Sequence, residues 1–219
     1  MNRSLILFAK EPQFKKVKSR LHNVLTAKKT VQLYQAFLKD MLELSRKIDC
    51  EKRFLAYQVE NNRPVFLEKY AWDFILFKQE GKDLGERMYH TFQYAKALKA
   101  THMVMIGSDL PNLPHYYIQN AFESLKQYDV VLGPSLDGGY YLIGLNDPCI
   151  TLFQGIQWGS NQVFSQTRKK INFLSKKLAV IKPWYDIDNT EQLQQLKQDL
   201  LIETNPCIAR WTRKTLSIS

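Results

Sequence analysis

Two short acidic segments stand out by residue type and position. Gly107-Ser108-Asp109-Leu110-Pro111 and Asp186-Ile187-Asp188-Asn189-Thr190 each follow an apolar run that reads as a strand. Carboxylates so placed hold hard divalent cations through oxygen. A third segment carries the opposite charge: Lys10, Lys15, Lys16, Lys18 and Arg20 crowd the loop between the first strand and the first helix. Lys and Arg at a strand end bind phosphate oxygens. In an open α/β sheet the carboxyl ends of the strands share one crevice. The three segments together suit a metal-bound nucleotide diphosphate or triphosphate.

Each segment has its own logic. Unneutralised charge at a buried strand end is costly, and a phosphate would offset it, aided by the next helix N-terminus. Lys10, Lys18 and Arg20 are the expected phosphate ligands, although the stretch equally reads as a solvated basic loop. It is no Walker loop, because neither G-x-x-x-x-G-K nor G-x-G-x-x-G occurs. Asp109 suits a metal or a helix cap, and Gly107 lets the backbone approach a ligand closely. Asp186 and Asp188 point the same way if the segment is extended, and Asp188 or Thr190 before Glu191 equally suits a cap for the last helix. Asp109 with Asp188 forms the expected metal pair. In Gly133 to Gly144, Asp137-Gly138-Gly139 suits a hairpin turn, yet also a loop that a sugar-like ligand can approach, with Asp137 orienting or deprotonating a hydroxyl. Gly81 to Arg87, another strand-to-helix junction, offers Gly81, Leu84, Gly85 and Arg87 to base, ribose or phosphates.

The elements that must position these residues alternate. Strands are expected at Arg3–Ala9, Arg53–Val59, Phe74–Phe77, Met103–Ile106, Asp129–Leu132, Tyr140–Leu145 and Leu178–Ile181. Helices are expected at Leu21–Ile48, Val65–Tyr70, Leu84–Leu98, from Pro114, at Asn161–Leu174 and Glu191–Leu201; the tail from Glu203 shows weak periodicity. This rhythm predicts a mostly parallel sheet with helices on both faces, in one domain over residues 1–219. Gly133 to Gly159 breaks the rhythm and is where a second lobe would be grafted.

Composition narrows the class. The 219 residues are 45% hydrophobic, enough for a sizeable core. No apolar run reaches the roughly 20 residues of a membrane span, and Leu5 to Ala9 is too short for a signal-peptide core, so a cytoplasmic protein is expected. Cys50, Cys149 and Cys207 are far apart and away from the four histidines, which argues against a zinc site or disulfide framework. The net charge of +10 favours anionic partners. No dense Lys/Arg tract is interleaved with aromatics, so nucleic acid is not the expected partner.

The order K-x-P, V-K-[ST]-R-L, D-L-G-E-R-M, G-S-D-x-P, D-V-V-L-G-P-x-x-D-G-G-Y-Y-L-I-G-L and D-x-D-x-x-x-x-L resembles a bacterial family of GT-A-type glycosyltransferases. That family is similar to the wider nucleotide-diphospho-sugar transferase superfamily, which includes nucleotidyltransferases of molybdenum-cofactor and deazaflavin-cofactor assembly. The resemblance runs from Leu5 to about Leu196, with Asp-Gly-Gly-Tyr-Tyr its most specific part. It implies a three-layer Rossmann-like (GT-A-type) domain. It also implies Lys10, Lys18 and Arg20 on nucleotide phosphates, Asp109 and Asp188 on Mg or Mn, and Asp137 at the sugar or acceptor pocket; Ser108, Gly138 and Gly139 are expected beside the bound nucleotide. Three positions depart from the pattern. Lys15 stands where the family has Gly, which argues against a tight phosphate-hugging turn; Ser19 replaces Thr; and Gly159-Ser160 replaces Ser-Thr after Trp158.

The leading expectation is metal-dependent glycosyl transfer from a nucleotide-diphosphate sugar to a small acceptor, with Lys18, Arg20 and Asp137 as catalytic groups. The alternative is nucleotidyl transfer from a nucleoside triphosphate to a phosphorylated small molecule. A third, a non-catalytic polyanion binder, predicts salt-sensitive binding without metal dependence.

Overall fold

The computed structural model describes residues 2–60 and 63–218. In chain order the elements are β1 (Arg3–Lys10), α1 (Ala27–Arg46), β2 (Lys52–Gln58), α2 (Val65–Tyr70), β3 (Ile75–Lys78), α3 (Leu84–Ala97), β4 (His102–Gly107), α4 (His115–Ser124), β5 (Val130–Pro134), β6 (Tyr140–Leu145), α5 (Val163–Phe173), β7 (Leu178–Val180), α6 (Thr190–Ile202) and α7 (Arg210–Leu216). Seven strands form one sheet in the order β3-β2-β1-β4-β6-β5-β7. Among the described residues only β6 runs against its neighbours. The result is a single α/β domain with a mostly parallel mixed sheet.

The core follows from the strand alternation. Leu5, Leu7 and Ala9 of β1 pack on one face with α1, α4 and α6, whereas Ile6 packs on the other with α3 and α5. Strands buried on both faces read as continuous apolar runs, as RSLILFA does. β1 pairs in parallel with both β2 and β4, and Phe8 lies opposite Gly107. Chain order proceeds outward in opposite directions from β1 and β4. That reversal opens a crevice at their carboxyl ends, where the basic loop and Asp109 emerge.

Three expectations change. The helix placed at Leu21–Ile48 is a short 3-10 turn, Ser19–Asn23, followed by α1. The break lies at Thr26, whose extended backbone and side chain, accepting from Lys29 N at 3.3 Å, start α1 afresh. Gly133 to Gly159 grafts no second lobe: β5 and β6 from this stretch are neighbours inside the sheet.

The tail contains α7, which sequence periodicity missed because its cap is not local. Ala209 begins it with a left-handed backbone and no capping side chain. Asp40 of α1 caps it instead, accepting from Trp211 N at 2.9 Å, Thr212 N at 2.9 Å and Thr212 Oγ1 at 2.6 Å. Glu43 adds an ion pair to Arg210 at 2.6 Å and accepts from Trp211 Nε1 at 2.7 Å. Three donors, the two of Thr212 buried, lose their partner in Asp40→Ala. A loss of about 2–3 kcal/mol is expected, read as a melting temperature lower by roughly 4–10 °C with nucleotide affinity unchanged.

Candidate functional site

The basic loop is pinned rather than free. Val17 and Leu21 are buried in the core, and Lys18 between them adopts a left-handed backbone with φ 50°. That conformation costs a non-glycine residue about 1–2 kcal/mol, and the two apolar anchors hold it. The turn doubted for want of glycine also forms: Lys15 takes φ 61°, and Lys16 N donates to Gln13 O at 3.1 Å. At the loop's start, Glu11 accepts from Phe66 N at 2.8 Å and Leu67 N at 3.2 Å. Tyr34 of α1 joins the two strand ends: its hydroxyl accepts from Lys10 N at 3.1 Å and lies 3.1 Å from Ser108 Oγ. Burial, then the charge of Asp109, pushes that phenol well up.

Lys18 meets both predicted metal carboxylates. Its Nζ lies 2.7 Å from Asp109 Oδ2 and 2.6 Å from Asp188 Oδ1, with the side chain only 5% exposed. Asp188 arrives there because Ile187 N donates to Asp109 O at 3.0 Å, which ties the two acidic segments side by side. Burial works against the charge on Lys18, but Asp109 and Asp188 outweigh it and raise its pKa. Burial also raises the pKa of Asp109, which Lys18 only partly offsets. Asp188 is likewise penalised by burial, yet Lys18, Arg20 and Lys10 bring it below the ordinary value. Asp186 lies one step back, accepting from Ser135 Oγ at 3.2 Å. Burial, with Asp109 and Asp188 nearby, pushes it up to about 7.

These residues line a cleft of two compartments. The first, about 580 Å³, takes Lys10, Lys16, Lys18, Arg20, Arg87, Ser108, Asp109 and Asp188 among its walls. The second, about 520 Å³, takes Asp137, Gly139, Tyr140, Trp158, Asp186 and Asp188. Phe8, Arg20, Leu84, Gly107 and Asp188 belong to both and form the seam. Asp137 is exposed and its Oδ1 also accepts from Gly139 N at 2.9 Å, so the turn that sequence suggests is present as well.

Gly81, Gly85 and Gly138 line neither compartment, and the structure gives them packing reasons instead of ligand contact. A Cβ on Gly85 would lie 2.7 Å from the Trp158 ring and from Phe153 O. Gly138 has φ +91°, and a Cβ there would lie 2.1 Å from Asn161 O. Gly81 lies in the turn before α3, where its carbonyl accepts from Arg87 Nε at 3.3 Å. Sequence reasoning also missed Gln79, which lines the first compartment while its Nε2 donates to Ala9 O at 3.1 Å and Ala56 O at 2.9 Å. A polar residue just after β3 was the available signal. Tyr34 carried none, because its helix periodicity reads as core.

The donor set fits a hard divalent cation. Asp109 and Asp188 already converge on one positive charge, and Asp109 Oδ1 is buried with no hydrogen-bond partner. Buried carboxylate oxygens are rarely left unsatisfied. Among the described residues no three His, Cys, Asp or Glu side chains form a ready-made ligand group. Two carboxylates completed by phosphate oxygens and water match the usual way Mg is held. No helix among the described residues is long and apolar enough to cross a membrane.

Comparison with known proteins places the fold. The family described as "Uncharacterized protein conserved in bacteria (DUF2064)" matches residues 41–160. A crystal structure of a "putative nucleotide-diphospho-sugar transferase" from Desulfovibrio desulfuricans is 31% identical, with a TM-score of 0.90, over 100% of this chain and 97% of that one. Two others share the fold at low identity. The 4-diphosphocytidyl-2C-methyl-D-erythritol synthase of Anaerococcus prevotii is 11% identical, with a TM-score of 0.60, over 91% of this chain and 96% of that one. A Mycobacterium tuberculosis protein in complex with manganese is 10% identical, with a TM-score of 0.56, over 90% of this chain and 98% of that one.

Proposed function

We propose, from the premise that the chain belongs to the bacterial DUF2064 family, that it is a transferase acting on a nucleotide-diphosphate sugar and a small hydroxyl acceptor. The observation that carries the reading is the convergence of Lys18, Asp109 and Asp188 at the seam of a two-compartment cleft. The name of the Desulfovibrio relative agrees with it.

Asp109 and Asp188 would hold Mg or Mn, and the manganese in the Mycobacterium structure is consistent with that choice. When bound, such an ion supplies positive charge to a departing diphosphate. The chain's own contribution is electrostatic and positional. Lys10, Lys18, Arg20 and Arg87 set fixed cations around the phosphates, and such charge counts for more where water is excluded. Gly107, where a Cβ would meet nothing within 4 Å, leaves the β4 end open beside Ser108, so the phosphates can approach the backbone. Arg20, at the seam, faces the bond between the sugar and the diphosphate. Asp137 orients the acceptor hydroxyl in the second compartment.

A second reading is nucleotidyl transfer, which the name of the Anaerococcus synthase suggests. The same cations would then hold a nucleoside triphosphate. The leaving group separates the two: phosphorus NMR of the reaction is expected to show a nucleoside diphosphate. Pyrophosphate as the stoichiometric product would transfer the proposal to the second reading.

A further inference from the structure

The two compartments are electrically opposite. Five cationic side chains, Lys10, Lys16, Lys18, Arg20 and Arg87, line the first. The second has Arg20 alone, and that residue is shared with the first. Its acidic residues are Asp137, Asp186 and Asp188, while the remaining walls are largely apolar, with Met88, Ile143 and Val163 beside Tyr140 and Trp158. The Tyr140 and Trp158 rings meet edge to face, with centroids 6.4 Å apart and planes at 83°. Such a pair forms an apolar, polarisable corner. A phosphate group entering here would face acidic residues, and Arg20, the cation it could meet, also lines the first compartment.

We infer that the second compartment takes an uncharged hydroxyl compound with an apolar body, and rejects acceptors carrying phosphate. This rests on the reading of the first compartment as the nucleotide's, and narrows the acceptor class. In the step it implies, the acceptor oxygen forms a bond to the anomeric carbon, and the bond from that carbon to the diphosphate oxygen breaks. The electron pair leaves on the nucleoside diphosphate. The hydroxyl proton passes to the Asp137 carboxylate and from there to water.

Matched probe pairs test the inference on the full-length protein. Phenyl glucoside, phenethyl alcohol and hydroxybenzyl alcohol, each beside its monophosphate ester, would be measured by saturation-transfer NMR in metal-free and Mn-containing buffer. The neutral members are expected to bind, and to lose their signal in Trp158→Ala. Their phosphate esters are expected to bind roughly tenfold more weakly, because like charges about 4 Å apart repel by about 1 kcal/mol or more even with water around them. Asp137→Asn should narrow that gap. Asn161→Lys, an exposed change at the rim of this compartment, should strengthen the esters, and it covers the case in which Trp158→Ala fails to fold. Esters that bind as tightly as the alcohols in metal-free buffer would overturn the inference. So would a panel in which no neutral member binds, or an Asn161→Lys protein with unchanged ester affinity. The donor reading fails separately: if no nucleoside diphosphate binds the wild-type protein, that reading falls, while the preference measured without nucleotide still judges the second compartment.

Discussion

Asp109→Asn will remove Mn-dependent nucleotide binding while leaving the fold intact. Of the two converging carboxylates, Asp109 has the buried oxygen without a partner. It also sits at the end of β4, where the backbone contact from Ile187 fixes its position. Loss of groups that merely orient a metal ligand typically costs 10–100-fold in affinity, so loss of a ligand should cost roughly 100-fold or more. Calorimetry of a nucleoside diphosphate with and without Mn reads this directly. The variant should keep a weak, Mn-independent affinity supplied by Lys10, Arg20 and Arg87. It should also melt near the wild-type temperature without metal, because Lys18 retains Asp188 at 2.6 Å. Undiminished Mn-dependent binding would remove Asp109 from the metal site.

Lys18→Met makes the complementary prediction. Without this ammonium, Asp109 and Asp188 face each other across a gap with no cation between them. Removing one member of a buried ion pair costs about 3–5 kcal/mol. The carboxylates here are 30% and 43% exposed, so water screens part of that cost, and about 2 kcal/mol is the better expectation. The melting temperature in EDTA should fall by roughly 4–8 °C. Mn should then stabilise the variant more than the wild type, because the metal no longer competes with Lys18 for the two carboxylates. Nucleotide affinity should fall even with saturating Mn, since one phosphate ligand is gone. A variant that melts like the wild type in EDTA, and gains nothing extra from Mn, would show that Lys18 does not hold the cation position.

Much of the fold was legible because it rests on local signals. The strands buried on both faces announce themselves as apolar runs, and the last helix was expected to open with a cap at Asp188 or Thr190, where the structure puts the cap on Asn189, boxed with Gln192. What was not legible depends on contacts between distant residues. α7 is capped by Asp40, about 170 positions away, so no local pattern marks it. The left-handed Lys15 and Lys18 are held by burial of Val17 and Leu21, and a chain read alone shows only unfavourable residues at those positions. Within the candidate site, residue types foretold a group of carboxylates and cations. They did not foretell that Lys18 would bridge Asp109 and Asp188, nor that Gly85 and Gly138 answer to Trp158 and Asn161. Charge can be counted in a sequence; which charges meet depends on strand order.

The most direct test is a crystal of the wild-type protein soaked with Mn and a nucleoside diphosphate, with anomalous data collected near the manganese edge. The expected map has one anomalous peak between the carboxylates of Asp109 and Asp188, diphosphate density on the cationic side of the cleft, and Lys18 turned from the carboxylates toward the phosphates. Lys18 still bridging both aspartates, with manganese or nucleotide bound elsewhere on the molecule, would contradict the site.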